Sequence, residues 1–173
     1  MKGKRHNTRR VLSVDPTSRG LGYMVMEEER TPVDWGVKVT RGKTKSATVA
    51  TVAELIRLYR PHVLISEDCN AKGSRRCERI RRLLDGIRDA AAKDGVRSVK
   101  ISTRRVKETF TSFHANTKHQ IARVIAAQLP ELAPRLPRYR KPWMSEDYRT
   151  AIFDAAAFAL TYFYARSRQY NSV

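Results

Sequence analysis

The chain has 173 residues, enough for one domain with a substantial hydrophobic core and without stabilising disulfides. Lys and Arg number 35 against 17 Asp and Glu, so the net charge is +18 and a polyanion is the expected partner. The composition argues against a membrane-spanning protein, because the longest apolar stretch, 151–165, is interrupted by Asp154 and is too short to cross a bilayer.

Strands and helices alternate along the chain after a basic arm at residues 1–10, which is expected to be flexible. Short apolar runs bounded by turn signals predict five strands: 11–15, 20–27, 32–40, 62–66 and 96–101. Apolar residues at helical spacing predict four longer helices: 44–60, 73–94, 117–129 and 145–166. This order predicts an α/β fold, a mixed five-stranded sheet flanked by helices, in a single domain over 11–168.

Three carboxylates stand where composition alone would not place them. Asp15 ends the first strand, Glu67 follows the fourth, and Asp154 interrupts an otherwise apolar helix. Parallel neighbours bring their carboxyl ends to one edge of a sheet, and a helix packed over that edge can add Asp154. Carboxylates so close repel, and divalent cations remove the repulsion and support phosphodiester hydrolysis. The pattern therefore favours a metal-dependent enzyme acting on nucleic acid.

Each acid also has a structural interpretation. Asp15 starts a turn before Pro16, Glu67 fits a solvated loop, and Asp154 fits an ion pair with Arg123. Their combination with a strongly basic surface favours the metal site. A zinc site at Cys69, Cys77, His114 and His119 is disfavoured, because their spacing matches no common zinc finger.

The segment 14–19, with Gly22 and Tyr23, resembles the opening motif of RuvC-type Holliday junction resolvases in the ribonuclease H-like superfamily. The resemblance continues through further segments in the same order: 64–67, 71–72, 106–109, 118–121 and 153–160. It implies a Mg²⁺-dependent endonuclease, with Mn²⁺ as a possible substitute, that resolves four-way DNA junctions by paired symmetric nicks. It also implies a homodimer, with Asp15, Glu67 and Asp154 as catalytic residues and metal ligands.

The chain departs from the family pattern at three places. Thr17 stands where glycine is usual, and Ala151 stands where a fourth acid is usual. Asp147, two turns before Asp154 in the predicted helix, is a candidate catalytic residue, reaching a second metal through water. Alternatively, it stabilises the helix N-terminus, the interpretation that we favour. Cys69 and Asn70 replace the aromatic wedge that often follows the glutamate, so no cut-site preference is predicted.

Basic residues near the predicted site are candidates for contacts to DNA phosphates, although the usual role of a charge run is a solvated helix face. We predict that the arginines after Glu67 project outward, away from the apolar stripe of their helix. The candidates are Lys72, Arg75, Arg76, Arg79, Lys107, Lys118 and His119. In the Pro- and Arg-rich loop after 133, Tyr139 and Trp143 fit either stacking on unpaired bases or anchoring of Trp143 in the core.

Two other functions remain open from the sequence. Ala151 leaves room for a non-catalytic nucleic-acid-binding protein of this fold, and an RNA-processing nuclease is the second alternative. Cys69 and Cys77 form no CxxC pair and no secretion signal precedes the first strand, so a cytoplasmic protein is expected, or one in a nucleic-acid compartment of a host cell.

Overall fold

The computed structural model describes residues 9–18, 20–39 and 44–170, with side chains to Arg168. Most of the predicted basic arm, and Arg19, lie outside the described residues. No helix in the described ranges has the length and apolar character that crossing a membrane requires.

A five-stranded mixed sheet forms the centre of the fold, as predicted. Its strands are β1 (Val11–Pro16), β2 (Gly20–Glu28), β3 (Thr31–Val39), β4 (Val63–Glu67) and β5 (Arg97–Ile101). Their order in the sheet is β3-β2-β1-β4-β5, with β2 antiparallel to both of its neighbours, β1 and β3. β1 pairs with β4, and β4 with β5, in parallel. Because β1 and β4 are parallel neighbours, both end at the same edge of the sheet.

Helices cover both faces of this sheet. They are α1 (Lys45–Tyr59), α2 (Glu78–Lys93), α3 (Thr103–Thr111), α4 (Lys118–Gln128) and α5 (Thr150–Tyr170), with a 3₁₀ helix at Pro130–Arg135. Alternate residues of β1 point to opposite faces: Val11 packs in the core beneath α3, α4 and α5, whereas Leu12 and Val14 pack beneath α1 and α2. The two cores together fix β1, the strand that carries Asp15, in the middle of the molecule.

Two helices begin later than predicted. α2 begins at Glu78 rather than residue 73, because Gly73 adopts a positive φ of 90° and Cys77 is extended. α5 begins at Thr150 rather than Ser145. The segment before α2 contacts the carboxylates at the carboxyl ends of β1 and β4 through Arg76, and the segment before α5 contacts Lys118, the partner of Asp154, through Glu146. Polar contacts at this edge therefore replace the first helical turns.

The start of α5 packs unusually close to β2. A Cβ atom added to Gly22 would lie 2.2 Å from the carbonyl oxygen of Ala151, well inside van der Waals contact. Gly22 is also the residue opposite Asp15 in the β1–β2 pair. The absence of a side chain at Gly22 therefore lets α5 approach the strand end that carries Asp15.

Candidate active site

Asp15 and Glu67 lie at the adjacent ends of β1 and β4, as their strands predict. Asp15 is 2% exposed and Glu67 is 3% exposed. Both carboxylates bind Arg76, whose Nη2 donates to Asp15 Oδ1 and whose Nε donates to Glu67 Oε2 at 2.5 Å. The Nη1 group of Arg76 donates to the Pro16 carbonyl oxygen at 3.0 Å. One guanidinium thus links the two strand ends.

Asp154 lies on the first turns of α5 and is held by a lysine from α4. The side chain of Asp154 is 23% exposed, and its Oδ2 atom lies 2.9 Å from Lys118 Nζ. Lys118 opens α4 after the capping box of Thr117 and Gln120, which directs the helix start toward α5. Lys118 Nζ also contacts Glu146 Oε1 at 3.2 Å. A second cation therefore joins Asp154 to an acid that precedes α5.

The electrostatics link Asp15 with Asp154. Burial, and then the negative charge of Asp154, raise the pKa of Asp15 to about 7, although Arg76 and Lys118 act in the opposite direction. Burial also raises the pKa of Asp154, and the charge of Lys118 partly offsets that rise. Burial lowers the pKa of Lys118, but the nearby carboxylates of Asp154, Glu146 and Asp15 together have the larger effect, so the pKa of Lys118 is raised. Burial is thus the largest cause of both raised carboxyl pKa values, and at Asp15 the negative charge of Asp154 adds to it.

The donor set suits Mg²⁺, a hard cation that prefers carboxylate oxygens. Within the described residues, no three His, Cys, Asp or Glu side chains are already grouped closely enough to hold a metal ion. Arg76 and Lys118 instead bind the carboxylates that would serve as ligands. Metal binding would thus replace protein cations, and the raised pKa of Asp15 marks the charge that a metal would relieve.

The orientation predicted for Arg76 was wrong. It precedes α2 and turns inward between Asp15 and Glu67, with 25% of its side chain exposed. Two buried carboxylates attract the guanidinium more strongly than solvent does, and residues 74–77 are not helical and so leave it free to turn. Spacing along a predicted helix does not reveal this contact.

The geometry predicted for Asp147 was also wrong, because this residue lies before α5 and not two turns ahead of Asp154 in the same helix. Its Oδ1 accepts the backbone N–H of Arg149 at 2.9 Å, and its carboxylate pairs with the Arg149 guanidinium. Those contacts fit the helix-terminus interpretation. The acid beside the Lys118–Asp154 pair is Glu146, which the sequence analysis missed because an irregular loop has no periodicity to show which side chain faces the site.

The remaining predicted DNA-binding residues lie before α2, on its first turn, on α3 and at the start of α4. Lys72, Arg75, Arg79 and Lys107 are exposed. His119 is partly buried, and its ring packs edge-on against Tyr139 with 5.5 Å between the ring centroids. These basic residues are therefore accessible to a partner, apart from the partly buried His119, and are not part of the core.

We expect Arg76→Gln to lower the free energy of unfolding of the metal-free protein by about 3 kcal/mol, because it leaves Asp15 and Glu67 buried without their counter-ion. Urea unfolding measures this. The control is Arg82→Gln, which removes the exposed Arg82–Glu78 pair and should cost about 0.5 kcal/mol or less. Equal losses in the two variants would contradict a stabilising role for the inward ion pairs.

Three solved structures to which this chain is similar are of Holliday junction resolvases. RuvC from Thermus thermophilus is 22% identical over 91% of this chain and 96% of its own, with a TM-score of 0.66. The same protein in complex with Holliday junction substrate is 23% identical over 91% of this chain and 95% of that one, with a TM-score of 0.64. The yeast mitochondrial Holliday junction resolvase is 15% identical over 95% of this chain and 82% of that one, with a TM-score of 0.63.

Sequence comparison adds nothing to this, since no protein-family model and no curated protein matches the chain. The structural similarity confirms the predicted fold, that of the RuvC-type resolvases, over nearly the whole chain.

Proposed function

We propose that the chain is a metal-dependent endonuclease that resolves four-way DNA junctions by two symmetric nicks. One observation supports the proposal above the others: Asp15 and Glu67 end neighbouring parallel strands and share Arg76, and the charge of Asp154 raises the pKa of Asp15, in a fold similar to that of Holliday junction resolvases. The net charge of +18 supports a nucleic-acid substrate. The raised pKa of a buried carboxyl in this cluster supports a reactive site rather than a structural one.

Asp15, Glu67 and Asp154 are the residues that would hold Mg²⁺, for which Mn²⁺ can substitute. When bound, the metal would neutralise these carboxylates and stabilise the charge that develops on the phosphate during hydrolysis. Arg76 and Lys118, which neutralise the carboxylates in the metal-free protein, are then placed to donate hydrogen bonds to the phosphate under attack. The two cations thus have one role before substrate binds and another afterwards.

Lys72, Arg75, Arg79, Lys107 and His119 supply the contacts that position the DNA, according to the same proposal. Their side chains reach phosphates rather than base edges, so they confer affinity without base preference. Lys118 belongs both to this surface and to the site, through its contact with Asp154. The substrate backbone is thereby led from the exposed cations to the carboxylates.

We expect the double reversal Arg75→Glu with Arg79→Glu to weaken junction binding and to reduce the slope of log affinity against log salt by about 2, since each phosphate contact contributes about 0.9. Both side chains are exposed, so the fold should be retained. The control is Arg57→Glu with Lys93→Glu, which changes the net charge equally at the far ends of α1 and α2. A control that weakens binding as much would contradict a local phosphate track.

Two-fold symmetry follows from the reaction proposed. A junction has two equivalent strands to cut, and one site per chain means that two copies must act together. The protein is therefore expected to be a homodimer on the junction. Light scattering of the complex tests this, and a monomer on junction DNA would contradict resolution by paired nicks even if nuclease activity survived.

The decisive experiment is a nicking assay on a four-way junction with each strand labelled in turn. Linear duplex DNA and RNA of matched sequence serve as comparison substrates. Each substrate is incubated with Mg²⁺, with Mn²⁺ or with EDTA. The proposal expects symmetric nicks in two opposing strands of the junction, only with metal. Preferential cleavage of RNA would instead identify an RNA-processing nuclease of the same fold, and cleavage in EDTA would exclude metal dependence.

A non-catalytic binding protein is the second candidate, favoured by two observations. Ala151 lacks the acid usual at that position, and Arg76 and Lys118 already neutralise carboxylates of the site. Tight junction binding with no nick under either metal would decide for this candidate.

A further inference from the structure

The loop between the 3₁₀ helix and α5, residues 136–149, exposes large aromatic side chains beside the candidate site. Trp143 is 77% exposed, Tyr139 69%, Tyr148 59% and Met144 48%. These are four of the eight large hydrophobic residues exposed in the described part of the chain. Such exposure rules out the anchoring of Trp143 in the core, one of the two interpretations open from the sequence. A concentrated apolar surface of this kind indicates a binding partner.

Internal contacts hold the aromatic groups of this loop in place. The backbone N–H of Met144 donates to the Lys141 carbonyl at 3.0 Å, and Arg140 Nη1 donates to the Met144 carbonyl at 2.9 Å. Lys141 Nζ lies 5.3 Å from the centre of the Trp143 ring. The ring is therefore presented on a closed turn, with one cation already beside it.

The charge of the loop indicates the chemistry of its partner. Arg138, Arg140 and Lys141 are exposed, and none of the ion pairs among the described residues involves them. The two loop acids are occupied, Glu146 by Lys118 and Asp147 by Arg149. A second copy of a chain with a net charge of +18 would be repelled by such a surface. A partner with flat rings and a phosphate backbone matches both features.

The loop 136–149 also contacts residues of the candidate active site. Glu146 contacts Lys118, which contacts Asp154, and Tyr139 packs on His119, the next residue of α4. The segment that follows Glu67 on the other side of the site, 68–77, contains no aromatic residue. Rings that approach a substrate at the site from these two segments therefore come from the loop alone.

We propose that Trp143 and Tyr139 stack on unpaired bases of nucleic acid, with Arg138, Arg140 and Lys141 on the adjoining phosphates. Stacking tolerates any base, because every base has a flat face. The inference extends the proposed function: bases that are unstacked at the crossover of a junction would be held next to the carboxylates. Binding of a single strand does not require cleavage, so the two proposals can fail separately.

The test measures binding in EDTA, by fluorescence anisotropy, to a labelled thymidine oligonucleotide of about 12 nucleotides, within the usual site size. Trp143→Ala is expected to weaken binding by about 5- to 100-fold, the range for loss of one stacked base. Trp143→Leu keeps an apolar side chain but removes the ring, so it should weaken binding of the oligonucleotide to a similar extent. The control is Leu58→Ala, which removes another exposed apolar group, 68% exposed on α1, and should leave affinity unchanged.

Tryptophan emission gives an independent reading, because the chain has only Trp35 and Trp143. The oligonucleotide should quench the wild-type protein and should quench Trp143→Leu much less, and a linear duplex should quench neither strongly. Unchanged affinity in both Trp143 variants overturns the inference. So does a Trp143→Ala variant that turns a dimer into a monomer without nucleic acid, since the loop would then be an interface between copies.

Discussion

We expect Asp154→Asn and Asp15→Asn each to reduce junction nicking by about 10³-fold or more while junction binding persists. The asparagines keep size and shape but lose the negative charge that a divalent cation needs. A metal supplies several kcal/mol of transition-state stabilisation, and each 1.36 kcal/mol is a factor of ten in rate. Single-turnover nicking, measured beside an electrophoretic binding assay, separates the two effects.

Asp147→Ala is the matched control for these variants. Asp147 is also a carboxylate near α5, but its contacts are with Arg149 at the start of the helix. Its loss should cost about 1 kcal/mol of stability, as for other helix caps, and change the nicking rate only a few-fold. Full activity in Asp154→Asn, or a collapse of rate in Asp147→Ala, would mean that the wrong acids have been assigned.

Raising the pH from about 4 to about 7 is expected to destabilise the metal-free protein. Burial, and then the charge of Asp154, raise the pKa of Asp15 from 3.8 to about 7. Over this window the folded protein keeps a proton that the unfolded chain has released, so the free energy of unfolding falls as the pH rises. The fall from this group is at most about 4 kcal/mol, at 1.36 kcal/mol for each pKa unit.

Urea unfolding at closely spaced pH values, with EDTA present, measures this slope. Asp15→Asn removes the titrating group and should flatten the curve. Added Mg²⁺ should stabilise the wild type more at high pH than at low pH, because metal and proton compete for the same carboxylates. If the free energy of unfolding of the wild type rose over this pH window, the charges of Arg76 and Lys118 would have a larger effect on the pKa of Asp15 than burial has.

The pattern of short apolar runs along the sequence was enough to predict the sheet and the proximity of Asp15 and Glu67. The strands ending at Asp15 and Glu67 are short apolar runs, and parallel pairing then places their ends together, as observed. What could not be predicted is which cation turns toward them. Arg76 contacts Asp15 across 61 positions of sequence, and that choice depends on the folded structure rather than on helical spacing.

The segment before α5 shows the same limit. Ser145, a residue typical of helix N-caps, led to the prediction that the final helix begins there, whereas residues 145–149 are not helical and α5 begins at Thr150. Competing contacts cause the difference: Glu146 binds Lys118 and Asp147 binds Arg149, and both stabilise a turn over another helical turn. The position predicted for Asp147 depended on a helix that begins at Ser145. That position was wrong because the start of the helix was wrong.

The close approach of Gly22 and Ala151 constrains how this sequence can evolve. Any side chain at Gly22 would collide with the backbone carbonyl of Ala151, and no substitution at position 151 can remove a backbone atom. A side chain at position 22 would therefore fit only if α5 moved, and α5 carries Asp154 about one turn after Ala151. Under the proposed function, in which Asp154 is a metal ligand, selection on catalysis also acts on a strand glycine that contributes no ligand, and divergent copies that keep the chemistry should keep glycine there.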